Sequence, residues 1–400
     1  SMPTRRILPH LPACDTRLMD VAIVGGGIGG LTLALALQKV GITSRVFEQT
    51  PELTGVGAGI GLWPGALKAL RELDVSPWFW DLPVCPFRWA ETADARGRRI
   101  TGFDVSGLTD GLGYVVRRSD LQSAVLEQLP AGTLVTGARL TGLVQHPDHV
   151  ELRFEDSVQH APLVVGADGL RSAVRTLLLG AQEPRYSGET CYRGIAPFAV
   201  EDPGMMRETQ SEGWRGCLHP LDAETVYWWV TRRAQQGEQE TPEQRKAAVL
   251  AAVRGWVGGM PDAVAATPAE VILKNDLFDR PAVPQWSFGR VTLVGDAAHP
   301  TTPNLGLGGC MAIEDALVLA RALAHNPDHE RAFAQYESQR HARTARVTRM
   351  SRAMGRSGSF THPFARAAWA AVNTLTPSAV PRWLLAREVT YDPGQLSDAS

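Results

Sequence analysis

The chain has 400 residues, of which 44% are hydrophobic and 20% charged, and 40 Lys+Arg against 42 Asp+Glu give a net charge of -2. A chain of this length can bury a sizeable core in two or three domains without disulfide or metal staples. The near-neutral charge argues against a nucleic-acid-binding protein, because proteins that grip phosphates carry an excess of basic residues.

Cysteine usage and apolar runs indicate the cellular setting. The five cysteines, at positions 14, 85, 191, 217 and 310, form no C-x-x-C pair and no metal-binding pattern with histidine. Dispersed thiols are typical of a reducing compartment, so we expect a cytoplasmic protein without a metal. Runs such as residues 31–37 are far shorter than the ~18 residues of a membrane span. Residues 1–17 contain three prolines and no apolar run, and we expect a flexible N-terminus there, not a secretory signal.

The first predicted unit is a strand over residues 21–24, a glycine-rich turn and a helix. Gly25, Gly27 and Gly30 have the G-x-G-x-x-G spacing of a dinucleotide-binding turn. The first glycine permits the tight turn, the second lets the backbone approach a pyrophosphate, and the third packs the helix against the strand. The free N–H groups of the turn, among them that of Ile28, and the helix dipole would bind the phosphates.

A second apolar strand, predicted over residues 44–47, ends at Glu48. A carboxylate at this place, 18 residues after Gly30, can accept hydrogen bonds from both ribose hydroxyls of an adenosine. A lone glycine-rich turn is often a packing feature, but the strand, the helix and the terminal acid together predict a dinucleotide site. The pattern does not separate FAD from NAD.

Two further motifs lead to a family. Residues 166–175 read G-A-D-G-L-R-S-A-V-R, and residues 295–300 read G-D-A-A-H-P and continue to a second glycine-rich turn. Together with the first turn, these motifs resemble in order and spacing the group A flavoprotein monooxygenases, the family of para-hydroxybenzoate hydroxylase. The resemblance covers about residues 18–352 and implies tight, non-covalent FAD. Gly59 lies in a loop that is similar to the family's loop beside the flavin.

The resemblance implies roles for several polar residues. In the family, the acid matching Asp168 serves both FAD and transient nicotinamide binding, supported by the arginine matching Arg175. Asp296 ends an apolar strand, where a carboxylate can accept a hydrogen bond from a ribityl hydroxyl. Arg118 and Gln122 match a segment that touches the phosphate and ribityl region, although a surface ion pair is the alternative for Arg118.

The second glycine-rich turn is expected to lie against the flavin ring. Gly306, Leu307, Gly308 and Gly309 open a helix whose positive N-terminus would face the pyrimidine and stabilise negative charge on reduced flavin. Pro303 would fix the turn beside the ring. Most relatives have Gln where this chain has Leu307, so a side-chain contact there is in doubt.

A substrate-binding sheet is expected between the second and third motifs. Arg193 resembles a family position that approaches the ring and is the candidate for positioning substrate or peroxide, with an exposed strand arginine as the alternative. Tyr227 belongs to an aromatic strand, residues 227–230, which suits a flat ligand but is equally typical of a core. His219 could act as an acid or base, although a structural role is more frequent.

The fold implied by the resemblance is α/β, with a Rossmann-type FAD-binding domain, an inserted mixed β-sheet substrate domain and a C-terminal helical segment. We expect an FAD domain over residues 18–75, 105–180 and 286–352, a substrate domain over 76–104 and 181–285, and a helical tail over 353–400. The tail contains Trp369 and Trp383. It is expected to pack against the FAD domain, with a membrane or partner contact as the alternative.

The implied activity is that of an FAD-dependent monooxygenase. NADH or NADPH would reduce the flavin, O2 would add at its C4a carbon, and the hydroperoxide would hydroxylate an aromatic small molecule. The protein then has to exclude water, hold the substrate and keep the hydroperoxide protonated. Epoxidation of an unsaturated substrate is the runner-up. The rivals are a flavin reductase or dehydrogenase, a flavin-binding protein without activity, and a halogenase, whose W-x-W-x-I-P signature residues 78–83 superficially resemble. We expect a monomer or homodimer without nucleic acid or stable membrane insertion.

Overall fold

The computed structural model describes residues 19–53, 58–109, 113–358 and 360–398. Two sequence predictions, the flexible segment over residues 1–17 and the first part of the glycine-rich loop before Gly59, lie outside these residues. The strands are β1 (Val21–Val24), β2 (Ser44–Phe47), β3 (Gly59–Leu62), β4 (Trp89–Asp94), β5 (Arg99–Asp104), β6 (Tyr114–Arg117), β7 (Leu134–Val135), β8 (Leu140–Gln145), β9 (Val150–Phe154), β10 (Val158–Ala161), β11 (Leu163–Gly166), β12 (Arg185–Pro197), β13 (Met205–Ser211), β14 (Trp214–Pro220), β15 (Thr225–Arg233), β16 (Leu273–Asp279) and β17 (Val291–Leu293). The α-helices are α1 (Ile28–Lys39), α2 (Pro64–Glu72), α3 (Ser106–Thr109), α4 (Arg118–Leu126), α5 (Ala173–Leu179), α6 (Pro242–Val253), α7 (Met260–Ala266), α8 (Gly308–His325), α9 (His329–Gly358), α10 (Pro363–Leu375) and α11 (Ala379–Val389).

A five-stranded parallel sheet positions the glycine-rich motifs. Its order is β17-β11-β1-β2-β7, so the central strand β1 pairs with β2 on one side and β11 on the other. All four residues of β1 are buried, as expected for an apolar strand covered on both faces by helices. Because the strands are parallel, the turns after β1, β11 and β17 and the acid after β2 meet at one edge of the sheet.

A seven-stranded mixed sheet forms the second layer. Its order is β16-β12-β15-β14-β13-β4-β5, and only the β13–β4 pair is parallel. Residues alternate between faces along a strand. In β15, Trp228 is therefore buried in a core with α6 and α7, while Tyr227 and Trp229 point to the other face. The predicted strand over residues 227–230 is confirmed. So are the predicted α/β fold class, the inserted mixed sheet and the C-terminal helices.

The helical predictions hold with one difference in packing. Helix α6 begins after Thr241, which forms a capping box with Gln244, and α8 begins at Gly308, where the second glycine-rich turn was expected to open a helix. The tail was expected to pack against the FAD domain, but α10 packs on β5 of the mixed sheet. The reason is geometric: α9 has 30 residues, a length of about 45 Å, and carries the chain to that sheet. Only the later tail returns to α8 and α9, through Glu388 and Pro393. No described helix is long and apolar enough to cross a membrane.

Candidate active site

A cavity of about 820 Å³ lies between the edge of the five-stranded sheet, one face of the seven-stranded sheet and helices α10 and α11. Most of the predicted site residues line this cavity: Gly27, Ile28, Gly59, Arg118, Arg193, Tyr227, Asp296, Pro303, Gly306, Gly308 and Gly309. The remaining predicted residues are not among those that line it: Gly25, Gly30, Glu48, Gln122, Asp168, Arg175 and Leu307. The structure therefore brings one predicted set to the cavity, and the contacts of the other set show what it does instead.

The first glycine-rich turn is closed on one side and open on the other. Gly25 has a φ of +112°, and a Cβ there would overlap the carbonyl of Ala167. A Cβ on Gly30 would overlap the carbonyl of Gly25. A Cβ on Gly27, in contrast, would meet no atom within 4 Å, because this glycine borders the cavity. The turn thus needs two of its glycines for its own geometry and leaves open space over the third.

Two polar side chains hold the turn from outside the cavity. The Gly26 N–H donates to Glu48 Oε2 at 2.7 Å, and Gln122 Nε2 donates to the Gly26 carbonyl at 3.3 Å. The other oxygen of Glu48 accepts from the N–H and the hydroxyl of Thr50. A carboxylate has about four acceptor positions, so these three bonds leave Glu48 with capacity for a further donor.

Asp168 and Arg175 serve the protein's own backbone in this structure. The Asp168 carboxylate accepts from Ser172 Oγ and from the first N–H groups of α5, at 2.5 to 3.1 Å. It is therefore turned away from the cavity, unlike the family role that the resemblance implies. Arg175 donates to the carbonyls of Ala297 and Ala298 at 2.9 and 3.0 Å. Burial lowers the pKa of Arg175 to about 10, so it stays charged and links α5 to the turn after Asp296.

The turn after β17 presents a carboxylate and a helix N-terminus to the cavity. Asp296 borders the cavity, and burial raises its pKa while the nearby His299 and Arg118 oppose that change. Gly306 has a φ of +63°, in the left-handed region that glycine favours. Helix α8 begins at Gly308, which places free N–H groups at the cavity wall. The Leu307 side chain is buried in the core, so this residue can contribute only its backbone.

A buried network supports this turn from behind. Asp315 Oδ2 accepts from the Gly295 N–H at 2.9 Å and pairs with His299 Nε2 at 2.6 Å, and its Oδ1 accepts from Arg340 Nε at 2.6 Å. Arg340 also donates to Glu314, which pairs in turn with Arg343 at 2.7 Å. Burial alone would raise the pKa of Asp315, but His299 and Arg340 outweigh it and hold the pKa well below its usual range. His299 therefore supports the turn from behind, through its bond to Asp315.

The seven-stranded sheet contributes an arginine and an aromatic wall. Arg193 borders the cavity and donates from Nε to Cys191 Sγ at 3.3 Å. The neighbouring Cys191 thiol raises the pKa of Arg193, and so does the Tyr227 hydroxyl, so its positive charge is retained. Tyr227 covers Gly59 so closely that a Cβ there would lie 2.6 Å from its ring. The Tyr227 ring also stacks on His219, with centroids 6.1 Å apart.

His219 is held in one tautomer. The indole N–H of Trp229, which can only donate, donates to His219 Nε2 at 3.0 Å. Burial lowers the pKa of His219 to about 4, so the ring is neutral at pH 7 and its proton resides on Nδ1. That atom has no hydrogen-bond partner among the described residues. His219 thus borders the cavity with its ring, while its Nδ1–H is a buried donor without a partner among the described residues.

Comparison with known proteins identifies the family. The family model described as "FAD binding domain" matches residues 18–351. The chain belongs to this family. Aurachin C monooxygenase/isomerase of Stigmatella aurantiaca is 37% identical over 87% of this chain and 91% of its own. The 6-hydroxynicotinate 3-monooxygenase of Bordetella bronchiseptica is 33% identical over 83% of this chain and 90% of its own. The crystal structure of Klebsiella pneumoniae HpxO with FAD and uric acid has a TM-score of 0.85 at 27% identity, covering 93% of this chain and 96% of that one. The protein is an FAD-dependent monooxygenase, and the recognition of the group A family is confirmed.

The residues present fit FAD. The open space over Gly27 is the place that a Cβ would fill and a pyrophosphate can occupy. Asp296 offers acceptor oxygens at the cavity, and the N-terminus of α8 offers donors. This set matches the cofactor's chemistry, with phosphates against backbone N–H groups and hydroxyls against a carboxylate.

Sequence reasoning missed the apolar walls of the monooxygenase cavity. They include Trp63, Phe87, Phe103, Met206, Trp369 and Leu385. These residues come from separate strands, helices and loops, so no single period marks them.

The halogenase rival receives no support. The segment with its superficial signature forms a 3-10 turn over Pro77–Asp81, where Trp78 donates to Glu127. No lysine is among the described residues that line the cavity, and Lys68 pairs with Asp392 at 3.3 Å.

Proposed function

We propose that this monooxygenase hydroxylates a small planar aromatic molecule bound between the flavin site and the seven-stranded sheet. NADH or NADPH is the transient electron donor, and O2 is the co-substrate. The observation that carries the proposal is the shared cavity: Asp296 and Gly308 border it on one side, Arg193 and Tyr227 on the other. Flat aromatic walls with a few polar groups suit a flat ring that needs a fixed orientation.

The cofactor-binding roles follow from the geometry of the FAD side. Bound FAD supplies hydride acceptance from the nicotinamide and activation of O2. We assign the pyrophosphate to the N–H groups around Gly27 and Ile28, the adenosine ribose to Glu48 and the ribityl chain to Asp296. Arg118, which borders the cavity, adds positive charge near the phosphates. The N-terminus of α8 stabilises negative charge on the ring by its dipole.

The substrate-side roles follow from charge and tautomer. The Nδ1–H of His219 lies buried beside the cavity without a partner among the described residues, and a small rotation of the ring would let it donate to a ring oxygen of the substrate. The Arg193 cation stabilises negative charge that develops on such an oxygen when the ring is attacked. Trp369 and Leu385 of the tail exclude water from the cavity. Together these side chains fix the orientation of the ring and keep the site dry.

The finer expectations stay proposals. We propose the domain boundaries given from sequence, with the FAD part over residues 18–75, 105–180 and 286–352. We also propose a cytoplasmic location, supported by free thiols at the four described cysteines, and a monomer or homodimer. Epoxidation of an unsaturated substrate stays the runner-up, and product structure separates it from hydroxylation.

The test is a panel of hydroxylated benzenes, hydroxylated nitrogen heterocycles and unsaturated compounds offered to the purified holoenzyme. We expect one class to stimulate NADH or NADPH oxidation and to yield a product with one oxygen atom from isotope-labelled O2. Stimulated oxidation without labelled product would contradict the proposal and indicate a reductase. Chloride-dependent product masses would indicate a halogenase, and a purified protein that binds no FAD would contradict the cofactor assignment.

A matched pair of variants locates the reaction. Arg193→Met is expected to lower substrate-stimulated oxidation, because it removes the cation at the cavity. Arg254→Met changes an exposed arginine at the end of α6 and is expected to leave the oxidation unchanged. Equal activities of the two variants would contradict the placement of the substrate at the sheet.

A further inference from the structure

The C-terminal helices α10 and α11 form part of the cavity wall. Trp369 of α10 and Leu385 of α11 line the cavity. Thr374 Oγ1 donates to the Ile100 carbonyl and Arg382 Nε to the Asp104 carbonyl, each at 3.2 Å. These bonds fix both helices to strand β5 and therefore beside the cavity.

The same helices also expose apolar side chains. Phe364, Leu375 and Trp383 are 81%, 83% and 60% exposed, and α10 buries none of its residues. Of the twelve large apolar side chains that the described residues expose, six lie between positions 364 and 384. Such a concentration is unusual for a surface that meets only water. We call these six residues, with the arginines of α10 and α11, the C-terminal patch: Phe364, Val372, Leu375, Val380, Trp383, Leu384, Arg366, Arg382 and Arg387.

The charges of the C-terminal patch have one sign. The sequence contains no aspartate or glutamate between Glu337 and Glu388, although the whole chain has a net charge of -2. A symmetric contact between two copies of the patch would bring three arginines per copy together against the Asp104 carboxylate near Arg382, and this excess of positive charge disfavours self-association. An apolar surface that carries arginines is complementary to a lipid layer, which has an apolar interior and can have anionic headgroups.

We propose that the C-terminal patch docks the enzyme peripherally on an anionic lipid surface. Short helices with Phe, Leu and Trp beside arginines lie in the membrane interface, bury their apolar side chains and attract anionic headgroups. With 13 and 11 residues, α10 and α11 are far too short to span a bilayer. The docking therefore places the cavity wall at the lipid surface without inserting the chain.

The docking suggests a route for the substrate, and this route rests on the proposed function. An aromatic molecule with an apolar substituent accumulates in the bilayer. Because α10 and α11 contribute both to the C-terminal patch and to the cavity wall, such a molecule could pass between lipid and cavity without crossing bulk water. The site is thereby matched to amphiphilic aromatic substrates.

The test is co-sedimentation of the holoenzyme with vesicles of phosphatidylcholine, with or without one third phosphatidylglycerol. We expect binding to the anionic vesicles that weakens as salt rises. The triple variant Phe364→Ser, Leu375→Ser, Trp383→Ser should reduce the partition coefficient roughly ten-fold or more, because three buried apolar side chains are lost. Arg366→Gln with Arg387→Gln should remove most of the preference for anionic vesicles.

The control is Val158→Ser with Leu177→Ser, which removes two exposed apolar side chains outside the C-terminal patch and should leave binding unchanged. FAD absorbance and NAD(P)H oxidation with a water-soluble substrate report folding and chemistry separately from docking. Failure of the proposed function would abolish oxidation and leave vesicle binding intact. The docking proposal is overturned if the holoenzyme does not co-sediment with anionic vesicles, or if the triple variant binds them as well as the parent. It is also overturned if the patch variants dissociate a dimer without changing vesicle binding.

Discussion

The buried network behind the turn after β17 predicts a large loss of stability for the substitution Asp315→Asn. Asp315 is fully buried and accepts three hydrogen bonds of 2.6 to 2.9 Å, from the Gly295 N–H, His299 and Arg340. Glu314 and Asp315 balance the charges of Arg340 and Arg343. An amide at this position keeps the shape but leaves one buried positive charge without its counterion.

Breaking one partner of a buried ion pair costs about 3–5 kcal/mol, and we expect the free energy of unfolding of Asp315→Asn to fall by that amount. Urea unfolding followed by near-ultraviolet circular dichroism measures it. Flavin fluorescence, which rises on release, should show FAD leaving at lower urea, because the Gly295 turn loses its anchor. The control is Asp74→Asn, which removes an exposed pair with Lys39 at 3.2 Å and should cost no more than about 1 kcal/mol.

The pH dependence has a defined sign. Because the folded pKa of Asp315 is held below its usual range, its contribution is complete above the unfolded pKa, about 4, and is lost as the pH falls further. The difference in free energy of unfolding between the parent and Asp315→Asn should stay constant from about pH 5 to 8. It should become smaller below about pH 4. A difference in free energy of unfolding below about 1 kcal/mol at pH 7 would contradict the claim that the balanced charges of this cluster stabilise the turn.

Three further variants test the site. Gly27→Val should fold normally, because the space is open, yet raise the Kd for FAD at least about ten-fold (1.4 kcal/mol) in fluorescence titration; Gly255→Val, also in open space, should not change it. His219→Phe should lower kcat/KM roughly ten-fold by removing a donor, with partial rescue by His219→Asn. Since the pKa of His219 is about 4, the parent's profile should show no ionisation of His219 between about pH 6 and 8; a His219-dependent step in that range would contradict its neutral role. Arg193→Met should lower kcat/KM more than Arg193→Lys, roughly a hundred-fold against ten-fold, and equal losses would rule out a charge role.

Local patterns predicted the strands, turns and helix starts of the proposed cofactor side, because each of these elements lies in a short continuous segment. The apolar run of β1, the spacing of Gly25 and Gly27 and the acid after β2 lie within one continuous unit. The start of α8 at Gly308 also followed from its glycines. In these segments the binding that we propose uses the backbone itself, so a sequence motif and the proposed site nearly coincide.

The substrate side could be predicted only in part because it depends on distant contacts. Trp369 reaches the cavity through a helix that the sequence assigned to packing on the FAD domain. The tautomer of His219 is set by Trp229 on the neighbouring strand. Asp168 turned inward because the first N–H groups of α5 compete for its carboxylate. Such pairings require knowledge of which strands and helices are neighbours.

The strand order of the five-stranded sheet also determines when the molecule can first hold its cofactor. Strand β11 lies between β1 and β17, and β17 starts at Val291. From the start of β11 at Leu163 to the start of β17, a ribosome adding about 5–20 residues per second needs roughly 6 to 25 s. Until then, β11 has an open edge, and neither Asp296 nor the start of α8 has been synthesised. The mixed sheet, complete by Asp279, can form on the nascent chain first. The proposed FAD site is therefore complete only after the start of α8 has been synthesised, and chains truncated before Val291 would lack Asp296 and that helix.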